Sequence, residues 1–230
     1  MIELIQNCAN FGLFLTLGVY FLSLSLSKRF PSPLTNPFLV SIVIIIPVLL
    51  LCRVDYDTYS ASAKLISSLL TPATVSLAIP LYRQIALLKK HFKAILLGIL
   101  SGVLASGITI LGLCALFGLG HTDFVTLLPK SVTTAIGMSL SEELGGVVAI
   151  TVTSIVVTGI LGNVLAVSLC RLFRITHPIA RGIAIGTSSH VLGTSRAIRM
   201  GEVEGAMSGL SIAVAGLMTV ALAPLLAMLL

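Results

Sequence analysis

Two short polar motifs interrupt an otherwise apolar chain, and their residue types suit the binding of a small anion. The first contributes four candidate binding residues: Lys130, Ser131, Thr133 and Thr134. The second contributes seven: Arg181, Thr187, Ser188, Ser189, His190, Thr194 and Arg196. Free N–H groups at helix N-termini bind anions, and we expect nearby hydroxyls and cations to help. The motifs therefore predict a site for a small organic carboxylate.

The ionisable residues of this region also have structural interpretations. Lys130 and Arg181 can be interfacial anchors whose charged ends reach water. His190 is a candidate for proton coupling, because histidine changes protonation near neutral pH. Glu142 and Glu143 are further candidates, because acidic residues between membrane segments are functional suspects. Equally, His190 can donate hydrogen bonds in a packed turn, and the glutamates can cap a solvated loop, so the sequence leaves these alternatives open.

Catalytic chemistry is not expected. Ser188, Ser189 and His190 resemble a nucleophile and base only as sequence neighbours, which is poor evidence for the required geometry. The chain has no GxSxG, HExxH, phosphate-loop or paired Cys/His metal spacing. Its four cysteines lie in or beside apolar stretches without CxxC spacing, as is typical of buried small residues. We therefore expect a protein that is not an enzyme and has no cofactor or metal.

The elements that position these motifs are membrane helices. Hydrophobic residues fill 57% of the 230 positions, charged residues fill only 10%, and the mean hydropathy is +1.12. Soluble domains carry about a quarter charged residues. Five apolar stretches exceed the roughly 20 residues that cross a bilayer: Leu4–Ser27, Phe30–Cys52, Ala94–Gly120, Leu144–Cys170 and Gly205–Leu230. Helices satisfy their own backbone in lipid, which predicts an all-α, polytopic transmembrane helical bundle forming one integral membrane transport domain over 1–230.

The charges predict how the chain crosses the membrane. The positive-inside rule places Lys28–Arg29, Lys89–Lys93 and Arg171–Arg181 in the cytoplasm, and explains the net charge of +6 better than a nucleic-acid partner does. Predicted spans cover 4–27, 34–52, 64–88, 94–119 and 146–170. They alternate only if residues 125–143 return to the outer face and residues 178–200 return to the cytoplasmic face. The alternative for each segment is an interfacial amphipathic helix or a packed small-residue helix.

A weak internal repeat also favours discontinuous helices. A shift of 57 positions aligns Thr71–Ile79 with Leu128–Ile136, with proline, valine, alanine and isoleucine in common. The helices that follow, 94–119 and 146–170, run in opposite directions in the predicted topology. Inverted repeats with discontinuous helices build the midplane site of many secondary transporters. We therefore predict an inverted repeat with two discontinuous or re-entrant segments.

Five longer motifs contain or adjoin the candidate residues: Leu128–Thr134, Ile179–Gly182, Gly186–His190, Gly193–Ala197 and Glu202–Ala206. Together they resemble the LrgB/CidB family. Asn36–Pro37, Leu70–Val75 and Pro80–Arg83 also fit, so the resemblance covers nearly the whole chain. The family commonly has proline after Val-Thr-Thr, where this chain has Ala135, which puts a helix break at that position in doubt.

The resemblance implies a multi-pass secondary transporter of small monocarboxylates in the cytoplasmic (inner) membrane. The plastid glycolate/glycerate translocator and bacterial pyruvate-uptake relatives suggest glycolate, glycerate, lactate or pyruvate. The alternative is a holin-like role, because members are also described as regulators of murein hydrolase export. A holin forms large lesions without a selective site, so the polar motifs favour transport. The implied partners are a small carboxylate substrate, membrane lipid and a small LrgA/CidA-like membrane protein, with a homo-oligomer left open.

Overall fold

The computed structural model describes residues 10–30, 35–69, 72 and 78–230. All regular secondary structure in these ranges is helical, and four of the described helices are long and apolar enough to cross a membrane. The predicted all-α polytopic bundle is confirmed. The chain divides into two compact units, Met1–Ser76 and Leu77–Leu230, and the single transport domain over 1–230 stays a prediction.

The first unit contains four described helices: α1 (Phe11–Arg29), α2 (Pro37–Leu51), α3 (Tyr56–Ser62) and α4 (Lys64–Ser68). The Asn36–Pro37 motif starts α2, because the Asn36 side chain accepts a hydrogen bond from the Phe38 N–H at 2.9 Å and proline is tolerated in the first turn. Buried Ser41 donates to Ser23 Oγ at 3.1 Å and joins α2 to α1.

The span predicted near 64–88 is not one continuous helix in the described residues, and whether it crosses the membrane stays a prediction. The helix α4 ends at Ser68, a short helix α5 covers Ala78–Arg83, and α6 begins at Ile85. Pro72 and Pro80 lack the N–H that a continuous helix needs, and Gln84 has non-helical backbone angles between α5 and α6. Residues 71 and 73–77, which form most of the first copy of the repeat, lie outside the described residues, so the inverted repeat stays a prediction.

Two long helices frame the second unit. Its elements after α5 are α6 (Ile85–Phe117), α7 (His121–Leu127), α8 (Thr134–Glu143), α9 (Val148–Leu172), α10 (Pro178–Met200) and α11 (Glu202–Ala227). One buried cluster unites Ile99 of α6, Ile183 of α10 and Met207 of α11. Another unites α6 with Phe124 of α7 and Ala223 of α11. The segments that contain the two polar motifs therefore pack against α6 and α11.

The helices α7 and α8 and the bend between them form the first hairpin, residues 121–143. Buried Thr151, near the start of α9, donates to the Thr126 carbonyl at 2.8 Å and is hydrogen-bonded to Ser141 Oγ at 2.7 Å. The Val147 N–H also donates to Thr126 Oγ1 at 2.8 Å. Both ends of the segment 125–143 therefore lie at the start of α9, so it returns to the end of the bundle where it began.

The helix α10 is the second hairpin, residues 178–200, because its two halves run in opposite directions along α11. In the first half, Gly182 lies against Glu204 and Gly186 lies against Ser208, so the contacts advance together along both helices. In the second half the order reverses: Thr194 is 2.7 Å from Ser208 Oγ, and Ile198 lies against Gly205. Residues 178–200 therefore also return to the end where they began.

The second hairpin reverses at His190, whose φ of 40° and ψ of −138° interrupt the helix. The turn packs closely on Gly162 of α9, which has no side chain. A Cβ at this position would overlap the Ser189 side chain. Asn163 Nδ2 donates to the Leu192 carbonyl at 2.6 Å. The helix α9 therefore supplies both the space and a hydrogen-bond donor for this reversal.

We expect single cysteines at Asp123 and Gly145 to react with an impermeant thiol reagent from one side of the membrane. Single cysteines at His177 and Met200 should react from the opposite side, because these pairs lie at opposite ends of α9. The measurement is labelling of right-side-out and inverted vesicles in a background without native cysteines. Labelling from opposite sides within either pair would contradict the two hairpins.

Gly162→Ala should destabilise the protein, because the new methyl group meets Ser189. Overpacking of this kind costs about 1–3 kcal/mol, and we expect a thermal midpoint several degrees lower in detergent. Gly112→Ala in α6 is the matched control, since nothing lies within 4 Å of its Cβ position. Equal midpoints for the two variants would refute the close contact at the hairpin turn.

Candidate functional site

A cleft of about 740 Å³ lies between α6, the first half of the second hairpin and the bend of the first hairpin. It extends from His91 and His177 to Lys130 and Ser131. Its walls are mostly small residues, and its polar side chains besides the histidines are Ser101, Ser106, Thr109, Lys130, Ser131, Thr187 and Ser188. The tips of the two polar motifs therefore meet in one cavity.

Lys130 supplies the positive charge of this cleft. Its Nζ donates to Ser131 Oγ at 3.1 Å and to Ser106 Oγ at 3.3 Å. It forms no ion pair with a carboxylate in the part of the chain that the structure describes. With a rise of 1.5 Å per residue, Ser106 lies roughly 16 Å from the end of α6 at Phe117 and roughly 22 Å from His91. The ammonium group therefore lies about midway along this part of α6, with neutral hydroxyls as its partners.

Thr187 contributes an unsatisfied hydroxyl at the same place. The residue is 7% exposed, and its Oγ1 is buried without a hydrogen-bond partner among the described residues. Gly102 of α6 allows this approach, because a Cβ there would be 2.8 Å from Thr187 Cγ2. A buried unpaired polar group costs about 1–3 kcal/mol, and because Oγ1 is inaccessible to solvent, a ligand or water would reach it only if the surrounding side chains moved.

The cleft closes beyond Ser131 and Thr187. Both residues also line a small cavity of about 10 Å³, which is bounded by Leu128, Leu222 and Leu226. Leu226 packs closely on α6, since a Cβ at Gly107 would be 2.8 Å from its Cδ1. Mostly apolar side chains thus narrow the cleft on the side of the bend that faces α11.

The cleft contains four of the predicted binding residues: Lys130, Ser131, Thr187 and Ser188. Thr133 and Thr134 are not among its lining residues: Thr133 precedes α8, and Thr134 is its first residue and is exposed. Glu142 and Glu143 lie exposed at the end of α8, beside the start of α9. The structure does not bring these four residues into the cleft.

Three other predicted residues make contacts that hold the second hairpin. Ser189 faces Gly162 of α9, and the His190 ring is hydrogen-bonded through Nε2 to the Ile155 carbonyl at 3.0 Å. Thr194 donates to the His190 carbonyl at 2.9 Å, besides its contact with α11. None of the three lines the cleft, so their proposed roles in binding or proton coupling stay predictions.

The two arginines of the second motif do not line the cleft. Arg181 Nε donates to the Ile175 carbonyl at 2.7 Å, and its Nη1 lies 4.0 Å from Glu204 Oε1. It lies off the helical face that Ala180, Ala184 and Thr187 present to the cleft. The Nε of Arg196 is buried without a partner among the described residues. A role for either in carboxylate binding stays a prediction that this geometry does not favour.

Sequence reasoning missed the polar residues that α6 and α9 contribute. Ser101, Ser106 and Thr109 line the cleft, and Asn163 supports the turn of the second hairpin. The signal for the α6 face is small or hydroxyl residues at three- to four-residue spacing: Gly98, Ser101, Gly102, Ala105, Ser106 and Thr109. The signal for Asn163 is a single amide inside an apolar span.

Comparison with known proteins identifies the family. The model of the LrgB-like family matches residues 16–229. The chain belongs to the LrgB family. It is 39% identical over 215 residues to the uncharacterized protein YwbG of Bacillus subtilis, covering 94% of this chain and 96% of that protein. No solved structure matches the chain significantly. Membership and the four apolar helices establish a multi-pass protein of the cell membrane.

Two further relatives have descriptive names. The holin-like protein CidB of Staphylococcus epidermidis is 35% identical over 215 residues, covering 94% of each chain. The antiholin-like protein LrgB of Bacillus cereus is 37% identical over 192 residues, covering 84% of each chain. Neither name describes an enzyme. Both names place these LrgB-family relatives in holin-like membrane systems.

If the cleft holds water, a membrane-impermeant thiol reagent should label Ser101→Cys much faster than Thr153→Cys. Both native side chains are exposed in the bundle and bonded to a carbonyl of their own helix, but only Ser101 lines the cleft. The labelling rates should be compared in a background without native cysteines. Similar slow labelling at both positions would contradict an aqueous cleft.

Proposed function

We propose that this LrgB-family protein is a secondary transporter of small monocarboxylates, of the glycolate, glycerate, lactate or pyruvate class. The observation that carries the proposal is the environment of Lys130. Its ammonium group is hydrogen-bonded to two serine hydroxyls and has no ion-pair partner among the described residues. A cation without a counterion at the inner end of a cleft is suited to an anionic ligand.

The surrounding groups favour a small polar anion. In the proposed complex, Lys130 binds the carboxylate while Ser131 and Thr187 bind its hydroxyl or keto oxygen. Thr187 Oγ1 is buried without a partner among the described residues, so a ligand oxygen that reached it after a small movement of the cleft wall would add a hydrogen bond without displacing one. The N-terminus of α10, which carries a partial positive charge, lies beside His177 at the opposite end of the cleft. This charge would attract anions into the cleft.

The closed inner end is what a carrier requires. A carrier exposes its site to one side at a time, and Leu128, Leu222 and Leu226 would form the barrier in this state. Transport would then need a movement of the hairpins against α6 and α11 that opens the other side. This part of the proposal depends on the sealed cavity beyond Ser131 and Thr187.

The second candidate is a holin-like role in the export or activity of murein hydrolases. The names of the relatives CidB and LrgB favour it more directly than they favour carboxylate transport. A holin-like lesion passes large solutes, and its function would not depend on one ammonium group in a narrow cleft. A small LrgA/CidA-like membrane protein is the proposed partner in either case.

Lys130→Gln should raise the apparent KM for carboxylate uptake about ten- to hundredfold, since a charge-assisted contact contributes about 1.5–3 kcal/mol. Uptake of labelled pyruvate, lactate, glycolate and glycerate into proteoliposomes, with and without the partner, would measure this. Lys93→Gln is the matched control, because Lys93 is an exposed lysine of α6 that does not line the cleft.

Release of an entrapped dextran from the same vesicles separates the two functions. A selective transporter should retain dextran in the wild type and in both variants. Dextran release with no dependence of carboxylate flux on Lys130 would instead support the holin-like role. If Lys130→Gln shows the uptake kinetics of the wild type and the vesicles retain dextran, Lys130 does not bind the carboxylate.

A further inference from the structure

A second cavity, of about 580 Å³, lies at the end of α9 and shares no lining residue with the carboxylate cleft. We call it the basic pocket, because three of its eight lining residues are arginines: Arg171, Arg174 and Arg181. Cys170 and Met200 contribute to its other walls. The base of the second hairpin and the end of α9 therefore enclose it together.

The charge of the basic pocket is not neutralised by the described part of the protein. Arg181 has the Ile175 carbonyl and, at 4.0 Å, Glu204 as partners. Arg171 and Arg174 are exposed and form no hydrogen bond or ion pair through their side chains with described residues. Two guanidinium groups therefore remain available beside a third, and arginine binds phosphate oxygens bidentately.

The backbone at Arg174 ends α9 in a left-handed turn. Arg174 has a φ of 54°, in the left-handed region where glycine is usual at the end of a helix. The Ile175 N–H donates to the Cys170 carbonyl at 2.8 Å and closes this turn. A non-glycine residue pays roughly 1–2 kcal/mol for that conformation. Arg174 therefore adopts a conformation that favours glycine, and it also lines the basic pocket.

The surroundings of the pocket indicate a ligand with an apolar part. Leu169 and Leu172 on the last turn of α9 are 43% and 71% exposed, and Phe173, which follows it, is 69% exposed. Val167 and Met200 add apolar surface inside the pocket. On an apolar membrane helix such side chains face acyl chains, so a molecule that joins phosphate to acyl chains would match both surfaces. The positive-inside prediction also places this end at the cytoplasmic leaflet, where anionic lipids are recognised by basic pockets between helices.

We propose that the basic pocket is a binding site for the phosphate headgroup of an anionic phospholipid, with Arg171 and Arg174 as the principal contacts. The acyl chains then lie along the exposed apolar face of α9. Because Arg181 and Met200 belong to the two ends of the second hairpin, the bound lipid would hold the base of that hairpin against α9. The site is separate from the proposed carboxylate site and does not depend on it.

The test measures lipid binding to the purified full-length chain in detergent by native mass spectrometry and thermal shift. Phosphatidylglycerol should bind and raise the thermal midpoint more than phosphatidylcholine with the same chains. The double variant Arg171→Gln/Arg174→Gln should weaken phosphatidylglycerol binding about thirtyfold, because each of the two lost cations contributes about 1 kcal/mol of binding free energy. Lys89→Gln/Lys90→Gln is the control, because it removes the same charge from exposed residues outside the pocket and should bind like the wild type.

A third variant separates loss of binding from loss of folding. Arg174→Gly removes one charge but suits the positive φ, so it should keep or raise the thermal midpoint without lipid while weakening phosphatidylglycerol binding about fivefold. Equal losses in the lysine control, or no preference for phosphatidylglycerol in the wild type, would overturn the proposal. Inorganic phosphate that binds and stabilises as well as the lipid at equal concentration would show a free-anion site and would also overturn it.

Discussion

The structure depends on the hydrogen bonds that support two reversals of the chain inside the membrane bundle. Backbone polar groups at membrane depth need partners from protein or from water in a cavity. In the second hairpin the His190 carbonyl accepts from Thr194, and the Leu192 carbonyl accepts from Asn163. In the first hairpin the ends are joined through Thr151. The apolar helix α9 therefore carries the few polar side chains that make both hairpins possible.

Close packing of small residues is the second requirement. Gly159 and Gly162 of α9 lie against the His190 ring and Ser189, while Gly182 and Gly186 let α10 approach the backbone of α11. A larger side chain at these positions would meet backbone or short side-chain atoms. Association of helices in lipid relies on such van der Waals contact, since lipid tails are as apolar as leucine. Many of the polar and small residues are therefore used to hold the hairpins in place.

The basic residues of the second unit differ in their hydrogen-bond and ion-pair partners, and this difference indicates different roles. Lys130 is joined to hydroxyls in a cleft, which suits a small anion. Arg181 is joined to a carbonyl and to Glu204 at the base of the second hairpin. Among the described residues, Arg171 and Arg174 have no side-chain hydrogen bond or ion pair where α9 ends. The carboxylate and lipid proposals follow from these three environments. The sequence motifs alone do not show which partners each basic residue has.

The sequence alone determined the membrane class, most helices and the return of residues 125–143 and 178–200, because charge placement and apolar length act through the bilayer itself. It also predicted that Lys130, Ser131, Thr187 and Ser188 lie close together, and these four line one cleft. Only the tertiary structure decided which side chains reach the cleft. Arg181 lies on another side of its helix, the His190 ring is hydrogen-bonded to α9, and Ser106 lines the cleft from a predicted membrane span. Those outcomes depend on helix rotation and on which neighbours approach closely, and a linear pattern of residue types does not specify either.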